Sequence, residues 1–411
     1  MNVNKRYNFL IFACVFLWIM MMGSKNVYTA ELVEIGAVFN VSKSQASLAM
    51  TYYFITYSIA QIILFFFMDN VSLKWYMLVS IFASGVVTVI VAFASGMTAL
   101  WWLLALNGVL QAGVWGMCLA VLKRYLPENM MPKANMLMNV GMSIAAVLSY
   151  SSSAIAVAID KWNLPFIVLG AILSLSAVLF FIAVRLCEKI DYKQSSAATI
   201  STPTTINAAI KLNTKQSKII FFILTFLLSF LIHFPYYGIL NWLPSLMTDN
   251  FNVANSTAIL VSTFAPLATV VGPIFAIRHA EKVNFVKVGA LYLCITTALA
   301  LILIFTFKVN LILSVTLSVL LLVIVQSSIT LIFSVLPIKM SGQVNTGAHA
   351  SLMNAAGGFA AGFAPTIVGA IIDGSGWQIS YIVTFALCLV STIIVGFIML
   401  VLSKTADKKR S

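Results

Sequence analysis

The chain has 411 residues, of which 61% are hydrophobic and only 9% are charged. Soluble globular domains rarely have this composition, so the sequence predicts a protein that lies in a lipid bilayer. The net charge of +13 follows from the placement of the basic residues described below, so it gives no reason to expect a nucleic-acid partner.

Twelve apolar runs follow one another along the chain. Each has about 17 to 25 residues, enough to cross a hydrocarbon core of roughly 30 Å as a helix. The predicted spans, numbered 1 to 12, cover residues 8–28, 46–68, 75–92, 97–122, 134–158, 164–186, 219–240, 258–277, 285–307, 311–336, 348–372 and 379–402. The sequence therefore predicts an all-α membrane protein with twelve transmembrane helices.

Basic residues set the predicted orientation, because Lys and Arg near helix ends stay on the cytoplasmic side during insertion. If the N-terminus is cytoplasmic, all but four of the 24 Lys and Arg residues fall in cytoplasmic segments. The four exceptions are Lys25, Lys43, Lys161 and Lys308. We therefore expect both termini in the cytoplasm and the protein in the plasma membrane.

A repeated phrase divides the chain into two related halves. Phe-Asn-Val occurs at positions 39–41 and again at 251–253, and in both places Ser, Ala and Leu follow at the same spacing. Such an internal repeat is typical of transporters built from two similar bundles. We predict an N-terminal six-helix bundle over 1–187, a cytoplasmic linker over 188–217 and a C-terminal six-helix bundle over 218–411.

The N-terminus also imitates a secretory signal, with Lys5 and Arg6 before an apolar stretch and the small residue Ala30 after it. Cleavage there would remove span 1, which the repeat pairs with span 7. We therefore expect span 1 to be retained.

Two six-helix halves joined by a linker resemble the major facilitator superfamily over essentially the whole chain. The cytoplasmic signature of that family between spans 2 and 3 survives in part, with Asp69 as its acid, Lys74 as a basic residue and Phe65 where glycine is usual. The matching loop after span 8 keeps Gly272 and Arg278. The resemblance implies that Asp69, Lys74 and Arg278 form a cytoplasmic gate; the alternative is a plain charged turn.

Spans 1 and 7 resemble more closely the organophosphate:phosphate antiporter family. Residues 24–26 read Ser-Lys-Asn, like the Arg-Lys-Asn of that family, and residues 236–242 read Tyr-Tyr-Gly-Ile-Leu-Asn-Trp, like its Arg-Tyr-Gly-Ile-Leu-Asp-Trp. In the family the two arginines clamp a phosphate with forked bonds. Here Ser24 and Tyr236 stand in their places, and Met142 stands roughly where some members have a substrate histidine. The resemblance implies an inherited fold with a changed ligand.

Lys25 is a candidate substrate-binding residue, because a lysine inside a membrane span is costly and usually functional. Its expected partner is a substrate anion or an internal acid. Alternatively, its amine snorkels to the outer surface, since it lies roughly 28 Å along the helix from Arg6.

Residues four apart share one face of a helix. Gln111 and Trp115 in span 4 are therefore expected to point to the same side, as are Ser24 and Tyr28 in span 1. We predict that these four side chains line a central substrate cavity.

Further candidates for the cavity lie in spans 5, 7 and 11. Asn139 and Asn354 occupy repeat-related places in spans 5 and 11, and Tyr236, Tyr237 and Asn241 cluster at the outer part of span 7. Amides in a membrane can equally hydrogen-bond neighbouring helices together, and that alternative stays open.

Three residues are candidates for coupling to a proton. Glu31 and Glu34 near the outer end of span 1 either bind a proton at the mouth of the pathway or are solvated acids on an extension of the helix. His233, one turn before Tyr237, either carries a proton or packs as a neutral side chain.

These features predict a secondary transporter, not an enzyme, that works by alternating access and needs no cofactor. No Gly-x4-Gly-Lys-Ser/Thr loop for nucleotide binding occurs. We expect a monomer that carries a small organic anion (a sugar phosphate, sugar acid or carboxylate) by proton symport or by exchange for a counter-anion. Two alternatives stay open: an efflux pump for amphipathic or drug-like compounds, and a transporter-like sensor that binds a solute and signals to a partner.

Overall fold

The computed structural model describes residues 3–67, 72–188, 215–283, 285–332, 336 and 346–407. All regular secondary structure in these ranges is helical, which confirms the predicted all-α class. Most of the predicted linker and Asp69 of the predicted gate lie outside the described residues.

The helices of the first half of the chain are α1 (Val3–Ala30), α2 (Leu32–Val38), α3 (Lys43–Phe67), α4 (Leu73–Val91), α5 (Met97–Gln111), α6 (Val114–Tyr125), α7 (Met131–Ala158) and α8 (Leu164–Glu188). Those of the second half are α9 (Lys215–Phe251), α10 (Asn255–Ser262), α11 (Phe264–Ala268), α12 (Val271–Lys282), α13 (Phe285–Thr306), α14 (Leu311–Thr330), α15 (Thr346–Ser375) and α16 (Trp377–Asp407). Within the described ranges, 11 helical stretches are long and apolar enough to cross a membrane. At 25 residues, α3 is long enough for the remaining predicted span.

Three predicted spans differ from the observed helices. Span 4 is broken into α5 and α6, because Ala112 is extended with ψ 139° and Gly113 has a φ of 76°, a left-handed conformation that glycine adopts without strain. Span 8 is divided into α10, α11 and α12. Span 7 ends too early in the prediction, since α9 continues through Asn241 to Phe251.

The repeated Phe-Asn-Val phrase ends a helix in both halves. Asn40 follows α2 with a φ of 49°, and Asn252 follows α9 with a φ of 53°. Asparagine tolerates this left-handed conformation better than most residues, and it commonly ends helices in this way. The sequence echo is therefore a helix-terminating signal that the two halves share.

The residues after the phrase start the next helix differently in the two halves. Ser42 and Gln45 form a reciprocal capping box at the start of α3: each side chain bonds the backbone N–H of the other, both at 3.2 Å. At the start of α10, Ala254 occupies the cap position and has no capping side chain. Asn255 is therefore available for another contact.

The chain forms two compact units. The first unit contains Met1–Ser195 and also Val253–Pro266, while the second contains Ser196–Asn252 and Leu267–Ser411. In the first unit α1 packs on α7 and α8, α3 packs on α5, and α4 packs on α8. In the second unit α9 packs on α15, and α13 packs on α14 and α16.

Paired glycines allow α4 and α8 to cross closely. A Cβ at Gly170 would lie 2.7 Å from the carbonyl oxygen of Gly85 and 2.9 Å from the backbone nitrogen of Val89. A Cβ at Gly85 would in turn lie 2.6 Å from the carbonyl oxygen of Gly170. Small residues at such crossings let two backbones approach closely, and the resulting van der Waals packing favours helix association in lipid.

Replacing Gly170 by alanine should therefore destabilise the protein. The methyl group meets backbone atoms, and overpacking costs roughly 1–3 kcal/mol, more than the roughly 1 kcal/mol that alanine gains over glycine in a helix. The midpoint of thermal unfolding in detergent measures the effect. The matched control is Gly289→Ala in α13, where a Cβ meets nothing within 4 Å, and its midpoint should be unchanged or higher. Equal midpoints for the two variants would contradict a close crossing.

Candidate substrate site

A pocket in the first unit brings together several of the predicted substrate residues. Its lining comes from α1, α3, α4, α5 and α8, and includes Ser24, Lys25, Tyr28, Asn107 and Gln111. The cavity has a volume of about 10 Å³, about the room that one water molecule takes. The pocket is thus too tight in this conformation to enclose an organic molecule.

Lys25 is the one cation in the lining of this pocket. Its side chain is half-buried, and its Nζ lies 5.4 Å from the centre of the Phe54 ring, within the range of a cation–π contact. No ion pair between Lys25 and a carboxylate is found in the described part of the chain. The structure therefore places the amine in the pocket and not at the outer surface, where the snorkelling alternative would put it.

A network of buried hydrogen bonds surrounds the pocket, with Gln111 at its centre. Its Oε1 accepts a bond from Tyr53 Oη at 2.6 Å, and its Nε2 donates to Ser84 Oγ at 2.9 Å and to Ser24 Oγ at 3.2 Å. These bonds join the end of α5 to α1, α3 and α4. The Gln111 side chain thus has both its oxygen and its nitrogen engaged within the bundle.

Asn107, one turn before Gln111 on α5, extends the network. Its Oδ1 accepts from Ser84 Oγ at 2.7 Å, and its Nδ2 donates to Thr88 Oγ1 at 3.0 Å. The predictions from the sequence did not include Asn107, Ser84, Thr88 and Tyr53. Their spacing does indicate a shared site. In span 3 Ser84 and Thr88 are four residues apart, and in span 4 so are Asn107 and Gln111, so each span has a polar face that could meet the other.

The prediction that Gln111 and Trp115 share a helical face is wrong. Gln111 is the last residue of α5, Trp115 lies in the first turn of α6, and the chain turns at Gly113 between them. The four-residue rule applies only to an unbroken helix. Trp115 instead packs on Trp18, with ring centroids 4.8 Å apart.

Ser24 and Tyr28 both line the pocket, as their spacing predicts. Ser24 Oγ donates to the carbonyl of Met21 at 2.8 Å, and Tyr28 Oη donates to the carbonyl of Ala46 at 2.8 Å. Tyr28 is only 2% exposed. Its hydroxyl therefore ties α1 to the start of α3.

The candidates of the second unit lie along α9. The rings of Tyr236 and Tyr237 meet edge to face at 5.2 Å, and Asn241 Nδ2 donates to the carbonyl of Tyr237 at 2.6 Å. Because α9 continues to Phe251, these residues lie farther from the end of the helix than the predicted span suggests, and their place at the outer part of span 7 stays a prediction. The Asn241 nitrogen is thus satisfied by its own helix, whereas its buried Oδ1 has no hydrogen-bond partner in the described residues.

His233 packs against helix α15 through Gly357. Its Nδ1 lies 2.7 Å from the carbonyl of Ser229, and a Cβ on Gly357 would lie 3.0 Å from its Nε2. Asn354, also on α15, is half-buried, and Asn139 lies within α7. The lining of the pocket around Lys25 includes neither His233 nor Asn354.

Glu31 and Glu34 occupy different environments at the junction of α1 and α2. Glu31 is 0% exposed, and neither of its carboxylate oxygens has a hydrogen-bond partner in the described residues. Glu34 accepts a bond from Asn255 Nδ2 at 2.8 Å. The interpretation of Glu31 as a solvated acid is therefore wrong, because packing within the unit excludes water from its side chain.

Two of the three predicted gate residues, Lys74 and Arg278, lie within the described part of the chain. Lys74 Nζ pairs with Glu188 Oε1 at 2.6 Å. The two residues lie 114 positions apart, so no local pattern in the sequence predicts the pair. Arg278 is exposed on α12. The role of these residues as a gate stays a prediction.

Comparison with known proteins identifies the class of this molecule. A family model described as Major Facilitator Superfamily matches residues 12–346 and 225–411. The chain therefore belongs to the major facilitator superfamily, and the expected twelve-helix fold is confirmed. It is an integral membrane protein that transports a small-molecule substrate, and not an enzyme.

Solved structures with the same fold include two transporters. One is a bacterial homologue of the human lysosomal transporter Spinster, in an inward-facing and occupied conformation, with 12% identity, a TM-score of 0.73 and 97% of each chain covered. The other is the nucleoside transporter NupG, with 14% identity, a TM-score of 0.69, and 97% of this chain and 99% of that chain covered. No protein with a curated description matches the sequence.

Replacing Gln111 by leucine should destabilise the first unit. The hydroxyls of Tyr53, Ser84 and Ser24 lose their amide partner, and each interhelical bond in a membrane protein contributes about 0.6 kcal/mol on average, with more lost where a buried group stays unpaired. We expect a loss of about 2 kcal/mol, measured by reversible unfolding in mixed micelles. The matched control Gln378→Leu changes an exposed residue and should be neutral. A neutral Gln111→Leu would show that the network carries no stability.

Proposed function

We propose that the protein carries a small organic anion across the plasma membrane by alternating access, and that Lys25 binds the anionic group. The observation that carries this proposal is the half-buried Lys25 amine, which lies in a pocket with both polar and apolar lining and has no carboxylate partner in the described residues. A cation that is costly to bury and has no internal acid is well suited to a charged ligand.

The single ammonium favours singly charged acids, such as sugar acids and other carboxylates, over phosphate monoesters. An ammonium is a compact point charge with three donors, whereas guanidinium pairs give the forked bonds that suit phosphate. Ser24 and Tyr236 stand where the resembled antiporters have arginines. Ser24, Tyr28, Gln111, Asn139, Tyr236, Tyr237, Asn241 and Asn354 remain candidates for contacts with the rest of the substrate, while Trp115 is a weaker one.

The similar structures suggest which solutes should be compared with organic acids. One of them is described as a nucleoside transporter, so a neutral nucleoside is an informative comparator. At 12% to 14% identity, that likeness supports the fold and not a shared substrate. We further propose a monomer with both termini in the cytoplasm, driven by a proton or by a counter-anion.

Uptake into proteoliposomes tests the proposal. The panel is a sugar acid, a monocarboxylate, a sugar phosphate and a nucleoside, each with and without an inward proton gradient. Lys25→Ala should lower kcat/KM for the transported acid about 10- to 100-fold, which corresponds to the loss of a charged hydrogen bond of about 1.5–3 kcal/mol. Lys25→Arg, which keeps the charge, should retain more activity.

Lys161→Ala is the matched control, because Lys161 is an exposed lysine between α7 and α8 and should leave uptake unchanged. Transport of apolar cations that does not depend on Lys25 would contradict the proposal and indicate an efflux pump. Saturable binding with no flux would indicate a sensor.

A further inference from the structure

The segment 253–266 belongs by sequence to the second half of the chain but is part of the first compact unit. Its helix α10 packs on α7. Ile259 is completely buried in a cluster with Ala30, Tyr150 and Ala154. One polar contact accompanies this apolar one, the bond of 2.8 Å from Asn255 Nδ2 to Glu34 Oε2. The segment is thus docked against α2 and α7.

Glu31 lies one helical turn before Glu34 and next to Ala30 of the docking cluster. Its side chain is 0% exposed, and both of its carboxylate oxygens lack a hydrogen-bond partner in the described residues. Ser153 Oγ on α7 is also completely buried and without a partner, and it lies close enough to act on the Glu31 carboxyl. An ionised carboxylate buried without a counter-charge is very costly. The neutral acid is the form that this environment accepts.

The charges around Glu31 do not favour its ionised form. Among the described residues, the charge that acts on Glu31 is that of Glu34, which disfavours a second negative charge. The other titratable groups on the helices packed nearby include Lys25 of α1, Lys43 of α3 and Tyr150 of α7, while α10 contributes none.

We propose that Glu31 and Ser153 form a proton-binding site, and that a proton bound there holds the segment 253–266 against α2 and α7. A proton from water forms the O–H bond of the Glu31 acid, which has the Ser153 hydroxyl as its polar neighbour. Loss of the proton leaves a carboxylate that must be hydrated. Ile259 packs on Ala30 and Asn255 bonds Glu34, the neighbours of Glu31 on either side, so we expect hydration of the carboxylate to displace α10 and undock the segment.

The pH dependence follows from the same burial. Desolvation raises the pKa of Glu31 from 4.5 to about 9 while the segment is docked; Ser153 offsets this in part, and Glu34 adds to it. Once the segment is undocked and the carboxyl is hydrated, its pKa returns toward the ordinary value. The docked form therefore binds the proton more tightly, so docking is fully favoured at low pH and weakens as the pH rises toward about 9.

The proton site rests on the proposed function, because it supplies the coupling ion of the same transporter. Its test needs no substrate. Ala258 of α10 is 0% exposed, and we place a cysteine there in full-length protein from which the five native cysteines have been removed. The rate of maleimide labelling is measured in lipid nanodiscs from pH 5 to pH 9.5. Thr257→Cys on the exposed side of α10 corrects for the rise in thiol reactivity with pH.

The labelling rate at 258 relative to that at 257 should rise at least 10-fold between pH 5 and pH 9.5. Glu31→Gln, which stays neutral, should keep the rate low at every pH. Glu34→Gln removes the neighbouring charge and should move the midpoint of the rise to lower pH than in the parent. A relative rate that does not change with pH, or the same rise in Glu31→Gln, would overturn the proposal.

Two further results separate this proposal from its rivals. Choline is the only monovalent cation in the buffers besides the proton. Sodium is then added at constant pH. Slower labelling after this addition would assign the site to a metal cation and overturn the proton assignment. If Lys25→Ala leaves anion uptake intact while the pH-dependent labelling is observed, the proposed function fails and the proton site stands. If Lys25→Ala abolishes anion uptake and the labelling does not depend on pH, the proposed function stands and the proton site alone is overturned.

Discussion

The hydrogen bonds of Gln111 are the interaction on which the candidate site depends. In a bilayer no water is available to satisfy a polar side chain, so a buried amide must find all its partners among neighbouring helices. Gln111 does so at the point where its own helix ends, and it bonds to Tyr53, Ser84 and Ser24 on three other helices. The turn at Gly113 would otherwise be a weak place in the unit. The same bonds fix Ser24, and the residue that follows it in α1 is Lys25.

Lys25 therefore sits on a rigid support while its own charge has no internal acid among the described residues. The surroundings offer the Phe54 ring and neutral polar groups, which lower the cost of the cation without neutralising it. An arrangement of this kind suits an anion that comes and goes. A permanent carboxylate partner would stabilise the fold more but would compete with a ligand for the amine.

The acids that follow α1 have surroundings different from those of Lys25. Glu34 is held by Asn255 of the docked segment, and Glu31 is buried where only its neutral form is favourable. The two residues are three positions apart, so one short helix joins a proton-binding group to a contact with the second half of the sequence. The two halves of the repeat differ at this point. Ser42 and Gln45 cap α3, whereas α10 has no capping side chain, and its Asn255 bonds Glu34.

The sequence by itself determined the class, the helical spans and the repeat, because lipid requires about 20 apolar residues for each crossing and leaves little freedom in this pattern. It also singled out Lys25, Gln111, Ser24 and Tyr28, since polar groups stand out in an apolar helix. The tertiary structure decided the rest. The break after Gln111 separated it from Trp115, and the fold buried Glu31 although hydropathy placed it at a wet helix end. It also paired Lys74 with the distant Glu188. Which face of a helix meets a neighbour, and which distant residue it meets, depends on packing between segments, and periodicity within one segment does not contain that information.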